Sequence, residues 1–135
     1  MSYKFLEHTA DVKFLAKGSS FEEAFSSAAD AMNEVIRGDI KILESEERSF
    51  SVKGKDFEEL LYNFLEEFLF LLDAEGFLVS SVKEIKVEGF KLKCVVVGDD
   101  VDNYKFTNDV KAVTYSEMRV WEEDGKFKCE VVLDV

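Results

Sequence analysis

The chain has 135 residues, of which 47% are hydrophobic, including thirteen phenylalanines, and its 29 acidic against 17 basic side chains give a formal net charge of −12. This length accommodates one domain with a substantial core, and such hydrophobic content excludes disorder. The charge opposes any binding that works by neutralising many phosphates, so no direct stable nucleic-acid binding is expected, whereas a site that concentrates divalent cations suits the field.

The amino terminus, MSYKFLEHTAD, has no basic segment followed by an apolar one, and the longest apolar run, Phe68–Leu72, is too short to cross a bilayer. The expectation is a cytoplasmic protein with no membrane partner. The two cysteines, Cys94 and Cys129, fall in strand-like alternation far apart in sequence, which favours buried reduced thiols over a disulfide. Together with the one histidine they form no spacing typical of a zinc site.

Residues 3–7 and 12–17 alternate as two strands, with His8-Thr9-Ala10-Asp11 as the tight connection between them. Ser20 and Glu23 form a capping-box pattern ahead of Phe21, Ala24, Phe25, Ala28, Met32, Val35 and Ile36, whose spacing predicts a helix over 21–36 that stops at Gly38. Two short strands are expected at Asp39–Leu43 and Arg48–Lys53, around the solvated turn ESEE. Asp56 then caps a second helix in which Phe57, Leu60, Leu61, Phe64, Leu65, Phe68, Leu71 and Leu72 form a broad apolar face, ending near Gly76.

The remainder reads as two hairpins, turning at Glu88-Gly89 and Asp124-Gly125, with the polar loop GDDVDNYKFTND between them. There is no proline and no internal repeat. The element order predicts a single α+β domain over residues 1–135, a two-layer sandwich in which two α-helices pack on one face of a mixed β-sheet.

On the last strand Phe127, Cys129, Val131, Leu133 and Val135 share the core parity, so Glu130, Val132 and Asp134 are expected to point the other way. Asp134 either ends the strand in water or forms, with the chain's terminal carboxylate, a hard oxygen site for a divalent cation. His8 and Asp11 on one tight connection can converge on a metal, or Asp11 can simply close an Asx-type turn. Lys111, at the start of an apolar strand, can pair with Asp109 or approach a phosphate. The GDDVDN loop lacks the glycine and distal glutamate of an EF-hand, and no glycine-rich phosphate loop, GxSxG elbow or HExxH helix occurs.

Three blocks, in order and spanning nearly the whole chain, resemble the archease family: YKFLEHTADVKFLAKGSSFEEAFSSAADAM, GKDFEELLYNFLEEFLFLLDAEG, and VKAVTYSEM with the final VVLDV. The resemblance implies a protein cofactor of a ligase rather than a stand-alone enzyme. Archeases activate the RtcB-type RNA ligase of tRNA splicing and RNA repair, promoting its metal- and GTP-dependent guanylylation and multiple turnover. Carried over residue by residue, the metal site would comprise Asp11, Asp134 and Val135, holding calcium, magnesium or manganese. Lys111 would serve activation, with His8 positioning Asp11, and GTP and RNA would be met only through the ligase. Many members carry a histidine in the loop before KAVTY, whereas this chain reads DDVDNYKFTND there. Two other readings of the residues are a metal-dependent phosphohydrolase using the same carboxylates, and a chaperone-like or RNA-modification-associated binding module.

Overall fold

A computed structural model describes residues 1–7 and 11–135; His8, Thr9 and Ala10, and with them the expected connection and the part assigned to His8, lie outside the described residues. The order is β1 (Ser2–Leu6), β2 (Val12–Gly18), α1 (Phe21–Arg37), β3 (Glu46–Lys53), α2 (Phe57–Glu75), β4 (Phe77–Glu88), β5 (Lys91–Asp100), a 3-10 turn at Val101–Asn103, β6 (Ala112–Glu123) and β7 (Lys126–Asp134).

Both helices begin where the capping chemistry places them. Ser20 Oγ accepts the Glu23 N–H at 3.1 Å while Glu23 Oε1 accepts the Ser19 N–H at 3.1 Å, and Asp56 Oδ1 accepts the Glu59 N–H at 2.8 Å. Helix α2 closes on Gly76 in the left-handed conformation, with φ of 61°, a geometry that glycine adopts without steric cost.

The α+β class holds, but the strands form two sheets rather than one mixed sheet. One has the order β1-β2-β7-β6 and the other β3-β5-β4, and every pairing in them is antiparallel. Tight turns join β4 to β5 and β6 to β7, which makes these neighbours antiparallel; α1 carries the chain from the four-stranded to the three-stranded sheet, and α2 crosses from β3 to β4 within the latter, where the antiparallel β5 stands between them. The helices consequently touch both sheets: α1 packs on β2 and β7 and also on β4, and α2 packs on β3 and also on β6. Between them lies a phenylalanine cluster in which Phe64 meets Phe25 at 6.0 Å and Phe68 at 5.2 Å between ring centres.

Two further expectations are corrected. Asp39–Leu43 is not a strand. The Arg37 guanidinium donates to the carbonyls of Ile40 at 2.9 Å, Val79 at 3.2 Å and Ser80 at 3.1 Å, and Tyr104 Oη accepts the Leu43 N–H at 2.9 Å. Side chains thus satisfy backbone groups that a ladder would otherwise use, while Ile42 is buried in the core. Val132 keeps the outward parity but is 1% exposed rather than in solvent, because β7 is the inner strand between β2 and β6 and Val132 sits in register between Lys13 and Thr114.

The polar loop has a structural use. Asp99, only 6% exposed, accepts hydrogen bonds from Ser45 Oγ at 2.6 Å and Tyr104 Oη at 2.8 Å, which together hold its carboxyl down at about 2. Asp100 Oδ1 accepts the Asp102 N–H at 2.9 Å, so this carboxylate caps the 3-10 turn.

Candidate functional site at the end of the β2-β7-β6 ladder

The ends of β2, β7 and β6 meet at one edge of the four-stranded sheet. Val12 pairs with Leu133, so Asp11 lies one position beyond the last paired residue of β2, in line with Asp134 on β7. On the other side of β7, Ala112 pairs with Asp134 and the Lys111 N–H donates to the Asp134 carbonyl at 2.7 Å. Asp11, Asp134 and Lys111, separated by up to 123 positions in sequence, are therefore brought to one strand end, and Val135 follows directly. Asp11, Asp134 and Val135 are half-buried, and Lys111 is exposed.

Strand parity divides this set. Asp134 shares the outer parity of Glu130 and Val132, whereas Lys111 shares that of the buried Val113 and lines a groove against α2. Lys111 makes no ion pair among the described residues, so the pairing with Asp109 is not formed.

The outer face beside Asp134 is acidic. Lys13 Nζ, on the neighbouring β2, lies 3.2 Å from Glu117 and 3.8 Å from Glu130 and is committed to those two carboxylates. Among the described residues the Asp134 carboxylate has neither a salt bridge nor a side-chain hydrogen bond. A half-buried carboxylate without a compensating cation, in line with a second aspartate, is an all-oxygen donor set that fits a hard divalent ion. Among the described residues no three His, Cys, Asp or Glu side chains converge as a cage. The donors present are two aspartates and the main-chain oxygen of Val135.

Sequence reasoning missed the groove on the α2 side. It is lined by Ser51, Val52 and Lys53 of β3, by Glu66, Glu67, Phe70 and Asp73 of α2, and by Lys111, and has a volume of about 660 Å³. Burial raises the Glu67 carboxyl, and the neighbouring Glu75 charge adds to the shift. The sequence signal was Phe70 itself, an aromatic residue off the helix's apolar stripe: it is 53% exposed, whereas its neighbours Leu69 and Leu71 are buried.

Two antiparallel sheets bridged by two helices, with Asp11 and Asp134 in line where β2 begins and β7 ends, define a small α+β protein. The chain belongs to the archease protein family, whose model matches residues 3–135. It is 41% identical to the protein archease of Pyrococcus abyssi, over 96% of this chain and 95% of that one, and 36% identical to that of Methanosarcina mazei, over 98% and 95%. The solution structure of Methanobacterium thermoautotrophicum protein 1598 superposes with a TM-score of 0.84 at 34% identity, covering 98% of both chains. The crystal structure of an archease from Thermotoga maritima, described as a possible chaperone, gives 0.71 at 25% identity, covering 98% of this chain and 96% of that one. No helix among the described residues is long and apolar enough to cross a membrane.

Proposed function

We propose that this protein is a cytoplasmic, non-enzymatic activator of an RtcB-type RNA ligase, and that it meets GTP and RNA only through that ligase. Family membership supports the reading, and the observation that carries it is the alignment of Asp11 with Asp134, whose carboxylate has no salt bridge among the described residues. Asp11, Asp134 and Val135 would hold calcium, magnesium or manganese. Such an ion, when bound, would supply positive charge toward phosphate oxygens. The chain's own residues do the rest: β7 fixes Asp134 between its neighbours through the ladder, and Lys111, on the adjoining strand start and without an ion pair among the described residues, would offer its ammonium to a phosphate reaching the strand end.

The test is a time course of guanylylation and ligation by the cognate ligase with excess RNA, GTP and limiting metal, with and without substoichiometric amounts of this protein. Many rounds in place of a stalled single round are expected, and Asp134→Ala should abolish the gain. An unchanged course with a verified ligase would sink the activator reading.

A second reading, a chaperone-like module, is favoured by the Thermotoga maritima relative's description as a possible chaperone and by the net charge of −12. It predicts suppression of client aggregation that persists after chelation and in Asp134→Ala.

A further inference from the structure

Helix α2 carries Glu58, Glu59, Glu66, Glu67, Asp73 and Glu75 and no basic side chain. In the midst of this charge stands Phe70, 53% exposed. One wall of its groove is the acidic side of α2, with Glu66, Glu67 and Asp73, and the other is β3, an edge strand of the three-stranded sheet. An exposed aromatic ringed by charge is the usual form of an interface anchor, since its burial excludes water while the rim sets specificity.

The charge selects the occupant. Three carboxylates against Lys53 and Lys111 repel a polyanion, and a second copy of a chain with net charge −12 brings the same sign. A basic protein segment with a central apolar side chain fits both features. Lys111 places the groove next to the aspartate site, because its own N–H is bonded to the Asp134 carbonyl at 2.7 Å.

We propose that the α2–β3 groove is the docking surface for the ligase, receiving a segment whose apolar residue packs on Phe70 and whose lysine or arginine side chains meet Glu66, Glu67 and Asp73. This rests on the activator reading and names the surface through which the ligase reaches the strand end.

The experiment is calorimetric titration of the full chain into its cognate ligase at low and high salt, paired with the guanylylation time course. Phe70→Ala is expected to raise Kd roughly tenfold or more. Glu66→Lys with Asp73→Lys is expected to weaken binding and flatten its salt dependence. Leu43→Ala, at another exposed apolar position, should bind as the parent does, and all variants should melt within a few degrees of it because the altered side chains lie outside the core. Asp134→Ala should bind normally yet fail to stimulate.

If the parent binds and stimulates while the Phe70 and charge-reversal variants match it in Kd, the docking surface is wrong and the activator reading stands. If the parent neither binds nor stimulates a verified ligase, both readings fall. A concentration-dependent dimer that Phe70→Glu dissociates would assign the groove to a second copy and overturn the proposal.

Discussion

Asp134 and Lys111 are joined by a main-chain hydrogen bond at 2.7 Å, and neither side chain holds another part of the fold among the described residues. Asp134→Asn and Lys111→Ala are therefore expected to lower ligase stimulation severely. Their stability change should stay within about 0.5 kcal/mol, a shift of about 2 °C in Tm. Thermal melts alongside the time course check this, and a large fall in Tm would mean that the residues serve folding.

Asp99 is a different kind of carboxylate, tied into Ser45 and Tyr104. Its folded value of about 2 lies below the ordinary aspartate value of about 3.9. It therefore contributes stability that is fully present above the unfolded value and lost as pH falls toward 2. In urea titrations Asp99→Asn should be less stable than the parent near pH 6 and converge with it in acid. Parallel curves throughout that window would refute the assignment. The sequence shows that 99–103 is acidic; it does not show that one of those aspartates is enclosed, because Ser45 lies 54 positions away.

At the scale of elements, the caps of both helices were legible, since Ser20 with Glu23 and Asp56 act within a single turn. The hairpin at Asp124-Gly125 was legible for the same local reason, with φ of 54° and 74° at the two residues. Asp39–Leu43 was not, because its carbonyl and amide partners, Arg37 and Tyr104, come from a helix end and a distant loop.

Gly98 shows how closely strands approach: a Cβ there would stand 2.1 Å from the Leu78 carbonyl oxygen and 3.0 Å from the Phe77 ring. Gly98→Ala is expected to push β4 from β5 and cost about 2 kcal/mol or more, lowering Tm by roughly 6 °C or more. Differential scanning calorimetry checks the size, and an unchanged Tm would show that the sheet yields freely.

At the scale of the whole molecule, the two cysteines lie in different sheets, Cys94 on β5 and Cys129 on β7, both buried and free. Burial pushes each thiol up to about 12. Neither is expected to react with a thiol reagent at pH 8 until the protein unfolds, and then both should react in one step. Because the folded values exceed the unfolded one of about 8.5, the thiols contribute stability that is present below that pH and lost as pH rises through the alkaline range. Rapid labelling of the native protein would contradict the burial.

What the sequence determined by itself was the chemistry available over short distances. Helix caps, the apolar periodicities, the glycine turns and the family likeness all depend on residue types a few positions apart or on blocks in order. What only the tertiary structure decided was which strands pair, and therefore what stands beside what. Two antiparallel sheets in place of one mixed sheet, Asp11 aligned with Asp134, Lys111 turned to the α2 groove, and Phe70 left in solvent all follow from long-range register and from how two helices bridge two sheets. These outcomes depend on burying apolar area over the whole chain, so no local window of the sequence contains them.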